Sequence, residues 1–285
     1  MSSNTEYLAF LAGASDAVEA SASTADKALV HHDRGVQFAN RKQFRAAIAE
    51  FDRALAINPN LAKGYNNRGF ALTALKEYRR AVADFDQAIV LSPSFAAAHN
   101  NRGLARVAMT EYEAAIGDFE AALRIEPTMA LAWHNRGLAR AALGRFAEAK
   151  SDFDEAIRLA SHLANAYHNR AVCHTALGEF EQALADYERE LALDPRRAVA
   201  YFNRGFVHSI RHEWEKAVSD YTRSIHRNPD FAAAFIHRGE VFRAIGDFEA
   251  AIRDFSDALR LSPNCARASK LLDESLAMLQ DAVTN

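Results

Sequence analysis

"NNRGFALTAL" occupies residues 66–75 and "NNRGLARVAM" occupies residues 100–109. Their Asn-Arg-Gly triplets begin 34 residues apart. "HNRGLARAAL" opens another 34 residues on, at His134, and "HNRAVCHTAL" follows at His168 after the same interval. A chain that rewrites one phrase on a fixed beat builds its core by stacking units, not by enclosing one large volume.

The beat extends well beyond that phrase. Gly35, Gly69, Gly103, Gly137, Gly205 and Gly239 keep it, with Ala171 in the remaining place. All six prolines, Pro59, Pro93, Pro127, Pro195, Pro229 and Pro263, keep it too, with Ser161 in the missing one's place. An aromatic recurs at Phe44, Tyr78, Tyr112, Phe146, Phe180, Trp214 and Phe248. Seven units follow: 28–61, 62–95, 96–129, 130–163, 164–197, 198–231 and 232–265. Within the second, Tyr65, Gly69 and Leu72 fall at helical spacing, and so do Ala81, Phe85, Ala88 and Ile89. Each unit therefore reads as helix, short turn and helix, closed by a proline that cannot continue the second helix.

These columns resemble the tetratricopeptide repeat. In the second unit the matching residues are Tyr65, Gly69, Ala81, Phe85, Ala88 and Pro93. The resemblance covers residues 28–265 and implies an all-α fold, a right-handed superhelix of seven helix pairs. It also implies that first helices line a concave groove and second helices lie outside, in a scaffold that binds protein partners. Glu190 and Ser224 depart from the late Ala of the pattern, and Lys150 stands where other units carry Ile, Val or Leu. Ser161 and His162 make the junction of the fourth and fifth units the least regular, either a bend or a tolerated irregularity.

Two columns carry charge in every unit. Arg34, Arg68, Arg102, Arg136, Arg170, Arg204 and Arg238 recur alongside Glu50, Asp84, Asp118, Asp152, Asp186, Asp220 and Asp254. The favoured reading is a stack of partly buried Arg–carboxylate pairs, since the planar guanidinium fork suits a carboxylate. The alternative is that both columns face solvent and never meet. Whether each bond lies within a unit or between units is open at this point.

A second ladder, Asn67, Asn101, Asn135, Asn169 and Asn203, directly precedes the arginines, with Asp33 and His237 at the ends. In the family this position faces the groove. An amide both donates and accepts, so it can satisfy a peptide unit's C=O and N–H together. The column is similar to the asparagine ladder in the repeat arm of O-linked N-acetylglucosamine transferase. It equally fits a bond from each Asn to the adjacent repeat. Beside it stand Asn66, Asn100, His134 and His168, and one turn on come Phe70, Leu104, Leu138, Val172 and Phe206. This amide-and-imidazole stripe beside an apolar one suits an extended or helical peptide with apolar anchors. The groove clamp that grips acidic chaperone tails needs several basic residues, and Lys63 is nearly alone there.

Other chemistry finds little support. A net charge of −3 with a pI near 6.4 argues against nucleic acid as a partner. Cys173 and Cys265 are too far apart in sequence for a metal or disulfide pattern. His208 and His212 are four apart, but His212 falls in an expected turn, so no metal or other cofactor is expected. Neither a nucleophile elbow nor a glycine-rich phosphate loop occurs. Arg106, Arg140, His174 and His208 replace the apolar residue of their column, and their tips are expected to reach solvent. Residues 1–27 are a Ser/Ala-rich segment, expected to be a loose tail or a cap, and residues 266–285 a solvating C-terminal cap helix. No secretory signal or membrane-length apolar run appears, so a cytoplasmic protein without membrane contact is expected. The sequence thus reads as a non-catalytic scaffold for a protein or peptide partner. A self-assembling scaffold and a targeting arm separated from an enzyme are the alternatives.

Overall fold

A computed structural model describes residues 24–284, and fifteen α-helices make up the ordered elements among them. The chain divides after Leu143 into two compact units. The first contains α1 (Thr24–Asn40), α2 (Phe44–Ile57), α3 (Ala62–Ala74), α4 (Tyr78–Leu91), α5 (Ala96–Ala108), α6 (Tyr112–Ile125) and α7 (Ala130–Ala142). The second contains α8 (Phe146–Leu159), α9 (Ala164–Ala176), α10 (Phe180–Leu193), α11 (Ala198–Ile210), α12 (Trp214–Arg227), α13 (Ala232–Ala244), α14 (Phe248–Leu261) and α15 (Ala266–Thr284). The N-terminal segment singled out above lies outside the described residues as far as residue 23, and α1 begins at Thr24.

Each unit is a stack of helix pairs, and one contact fixes the pair. The ring in the middle of the second helix lies directly on the small residue of the first. A Cβ placed on Gly69 would stand 2.8 Å from the Phe85 ring, and one on Gly103 would stand 2.6 Å from Phe119. A side chain at either position would have to displace the ring. The same rings reach onward: Phe85 packs with Ala105, and Phe119 with Ala139, on the first helix of the next repeat. In the second unit Tyr187 meets Val207, Tyr221 meets Val241, and Phe255 meets Ala268 and Leu271 of α15. Helix α15 thus covers the last ring and turns Leu276 and Met278 outward. Alanines at 47, 81, 115, 149, 183, 217 and 251 are fully buried, which lets the two helices approach closely. Burying each ring contributes about 2–3 kcal/mol before entropy is counted.

First helices of successive repeats also touch one another, α1 with α3, α3 with α5 and α5 with α7, and likewise α9, α11, α13 and α15. This places the first helices on the inner side of each stack. The second helices end alike whether or not proline follows. At the end of α8, Ala160 takes φ −146° and ψ 78° and bonds Ala156 O, as Ser92 (φ −144°, ψ 85°) bonds Ala88 O before Pro93. The Ser161 junction is therefore a tolerated irregularity.

The turns between paired helices rest on a left-handed residue. Lys42, Lys76, Thr110 and His212 have φ between 57° and 63°, where Gly144, Gly178 and Gly246 supply glycine in other repeats. Around Thr110 its own N–H bonds Val107 O at 2.9 Å, and the next N–H, of Glu111, bonds Arg106 O at 2.9 Å. These bonds satisfy carbonyls that the helix end would leave open. A β-branched side chain is strained in that backbone region. Thr110→Gly should stabilise the chain by about 0.5–1 kcal/mol, the relief of left-handed strain less the extra chain entropy of glycine. Thermal unfolding followed by circular dichroism checks this, and an unchanged or lower Tm would contradict it.

Candidate peptide-binding face

The arginine column forms the seam of each stack. Arg68, on α3, donates Nε and Nη2 to both oxygens of Asp84 on α4 at 2.8 and 2.6 Å. Its remaining Nη1 donates to Asp52 of the preceding second helix at 2.7 Å. Arg102 donates Nε and Nη2 to one oxygen of Asp118 and Nη1 to Asp86, while in the second unit Arg170 repeats the Arg68 arrangement with Asp186 and Asp154. Arg204 and Arg238 grip Asp220 and Asp254 in the same bidentate way. In these repeats the paired acid lies 16 residues after the arginine, in its own repeat. The bond to the preceding repeat goes to a third column that the two-column reading missed. Its signal was visible as a second acid just beyond the buried ring: Asp84-Phe85-Asp86, Asp118-Phe119-Glu120 and Asp152-Phe153-Asp154.

Burial and charge act against each other in this seam. Asp84 raises the Arg68 guanidinium above its ordinary value, mainly through hydrogen bonding, although desolvation opposes it. At Asp254 burial dominates and lifts the carboxyl above its usual range despite Arg238. The face of the guanidinium is used as well: Arg136 lies over Trp133 with 4.6 Å to the ring centroid, and Arg68 over Tyr65 with 5.5 Å. In the first repeat His31, at 2.7 Å, and Arg53 also hold Glu50.

Residues expected to reach solvent instead turn toward this seam. Arg106 donates to Asp118 at 2.9 Å. His174 is buried, with Nδ1 2.5 Å from Glu179 and Nε2 3.7 Å from Asp186. His208 stands likewise between Glu213 and Asp220. A carboxylate already inside the seam gives their polar tips a nearer partner than water. Glu213 is held down to about 2, first by its bond from Lys216 and then by His208. Glu190, in place of the late Ala, is fully buried and meets His168 Nδ1 and Arg197 Nε, each at 2.9 Å. Cys173 is also fully buried, and its thiol is pushed up to about 11 by desolvation.

In the first unit the asparagines bond to one another. Asn67 Nδ2 reaches His32 Nε2 at 3.0 Å, and its oxygen accepts from Asn66 Nδ2 at 3.1 Å. Asn66 Oδ1 accepts from Asn101 at 3.0 Å, and Asn100 Oδ1 accepts from Asn135 at 3.0 Å. Every step crosses to the neighbouring first helix or to the adjacent residue, so the column ties successive repeats together. Asn66 and Asn100, expected to line the groove, are buried because their oxygens serve the next repeat. The imidazole of His134 is shifted down by burial, which a bond with Asn135 partly offsets.

In the second unit His168 turns to Glu190. Asn203 is half-buried, and its amide has no hydrogen-bond partner among the described residues. Phe206 lies edge-on to His237 with centroids 5.8 Å apart. The apolar stripe is the exposed part of this face: Phe70, Leu104 and Leu138 are 52%, 39% and 36% exposed, and Val172 and Phe206 are open to a similar degree. Large apolar side chains left uncovered at one register position are the feature of this face that suits a partner.

The repeats, the ring-on-glycine contact and the closing loops are those of a known class. Tetratricopeptide repeat profiles match residues 62–95, 96–129, 128–196, 211–266 and 238–283. The chain belongs to the tetratricopeptide repeat family. Among solved structures, YrrB, described as a tetratricopeptide repeat protein with an unusual peptide-binding site, is 27% identical. That match spans 65% of this chain and 95% of YrrB with a TM-score of 0.57. A tetratricopeptide repeat protein from Parabacteroides merdae is 18% identical over 88% of this chain and 99% of its own, with a TM-score of 0.64. PilW, a type IV pilus biogenesis factor, is 21% identical over 74% of this chain and 98% of its own, with a TM-score of 0.68. No curated protein matches the chain significantly.

The seam can be tested where it is simplest. Asp84 is buried, and Leu72 stands in the column from which Arg106 reaches Asp118, so Arg68 is the guanidinium partner of Asp84. Arg68→Leu should destabilise the protein by about 3 kcal/mol by leaving that carboxylate unpaired, and adding Asp84→Leu should recover part of the loss. Asp52→Ala, at the exposed end of the same guanidinium, should cost about 1 kcal/mol or less. Urea unfolding of the four-member cycle gives the coupling, and additive single changes would refute the pairing.

Proposed function

We propose that the protein is a non-catalytic scaffold that binds a segment of a protein partner along the inner, first-helix face. The single observation that carries this reading is the row Phe70, Leu104 and Leu138, exposed at equivalent positions of α3, α5 and α7. Neighbouring packed helices lie about 8–10 Å apart, so successive anchors match about every third residue of an extended peptide. The peptide-binding site for which YrrB is described supports the same use of this fold. The asparagines border the stripe and hold its register from repeat to repeat. Their carbonyl oxygens have two lone pairs each, so one can still accept from a peptide N–H while the other accepts within the ladder. Binding energy therefore comes chiefly from the apolar anchors, and positioning from the amides.

Proximity labelling with the full chain separates these roles. Leu104→Glu with Leu138→Glu, both at exposed positions, should abolish most partner capture while Tm stays nearly constant. Asn101→Ala removes the bond to Asn66 and should lower stability by about 1–2 kcal/mol with the captured set largely kept. An unchanged capture profile in the double Glu variant would overturn the reading. A concentration-dependent mass in light scattering, lost in that same variant, would show that the face joins copies of this chain.

A further inference from the structure

In the second unit most basic side chains are matched to a carboxylate. Lys150 meets Glu179, Arg158 meets Glu155, Arg170 meets Asp186 and Arg243 meets Glu274. Among the described residues of this unit, Arg189, Arg196, Arg223, Arg227 and Arg253 form no ion pair. Four of these five share one edge. Arg189 stands near the end of α10 and Arg196 in the following turn, while Arg223 and Arg227 fall in the last turns of α12, one repeat later. All four are exposed.

Two of them are held by aromatic rings. Arg189 lies over Tyr167 and Arg223 over Tyr201, each 5.9 Å from guanidinium carbon to ring centroid. The seam arginines approach the same rings, Arg170 at 5.7 Å and Arg204 at 5.8 Å, but those two are neutralised by Asp186 and Asp220. Each tyrosine therefore carries one paired and one unpaired guanidinium. A guanidinium resting on a ring gains cation–π attraction and loses rotamer freedom, while its N–H edge stays directed outward. Such an edge fits a carboxylate bidentately. The equivalent positions in the other repeats are Arg53, which is paired to Glu50, then Gln87, Ala121, Glu155 and Asp257. The arrangement is thus confined to two consecutive repeats. Arg189 lies between Glu188 and the buried Glu190 in sequence, Glu188 and Glu215 line one cleft with Arg223, and Asp194 is engaged with the backbone N–H of Arg196.

We propose that this edge is a second docking surface, distinct from the inner face, and that it takes an acidic segment of a partner protein. Repeats stack about 10 Å apart, so the two stacked guanidiniums meet carboxylates about three residues apart on an extended strand. Arg196, in the turn after α10, and Arg227, at the end of α12, add two exposed guanidiniums near the ends of the same two helices. An acidic peptide is favoured over nucleic acid because the cations cover two repeats on a chain of net charge −3.

A fluorescein-labelled peptide of twelve glutamates, titrated with the full chain at low salt and read by anisotropy, tests the surface. Arg189→Ser with Arg223→Ser should weaken binding about tenfold or more with Tm unchanged, and added salt should weaken the wild type steeply. Arg189→Lys with Arg223→Lys keeps the charge but loses the fork, and should fall between the two. Leu104→Ser with Leu138→Ser should leave this affinity unchanged, so failure on the inner face and failure here are separable. Equal binding by wild type and the double Ser variant would overturn the proposal. So would no detectable binding at low salt, or a twelve-nucleotide oligouridine that binds more tightly than the peptide.

Discussion

Everything in this fold depends on how closely a second-helix ring can approach the first helix. Where the first helix carries glycine, the ring sits where a Cβ would otherwise be, 2.6–2.8 Å away at Gly103, Gly239 and Gly69. Packing at this distance leaves little room for alternative angles, because interiors are close-packed and rings adopt few rotamers. The ring's far edge touches the following repeat, so the contact that closes a pair also docks the next pair. Period, pair angle and stacking are consequences of one residue-sized vacancy.

Polar groups then settle what apolar packing leaves degenerate. A stack of similar apolar faces can slide by a helical turn at modest cost. At Arg68, Arg102 and Arg170 the fork resists such sliding because it must meet two carboxylates at once, one in its own repeat and one in the preceding one. The amide chain from His32 through Asn67, Asn66 and Asn101 does the same on the inner side. Partly buried ion pairs contribute little net stability, but they make misregistered stacks costly by stranding a carboxylate away from water. The His174 and His208 sites extend this logic with an imidazole between two carboxylates.

With the seam and the first unit's ladder engaged inside the protein, two kinds of surface carry exposed groups that the fold does not use. One is the apolar stripe of the first helices, and the other is the set of unpaired guanidiniums at the ends of α10 and α12. Apolar anchors supply affinity through water release, and a charged edge supplies orientation and association rate. A scaffold that carries both can hold a segment by one and select it by the other.

The sequence by itself determined the helix pairs, their 34-residue period and the small-residue columns that let paired helices approach, and it made the matching of arginine to acid the favoured of two readings. Each is a local spacing or a column of one residue type, and a repeat writes those signals seven times. The acid two residues past Asp84 and Asp118 was equally legible, yet nothing in the spacing says that Arg68 and Arg102 reach backward as well as forward. That choice depends on how far apart the packed helices lie, which only the tertiary structure decides. The asparagine column shows the same limit. Its letters are identical whether the amides face a ligand or one another, because an amide serves either partner equally well. In the first unit the stacking of first helices brings the Asn66 and Asn100 oxygens within 3.0 Å of the next repeat's amide, a bond that the letters alone do not announce.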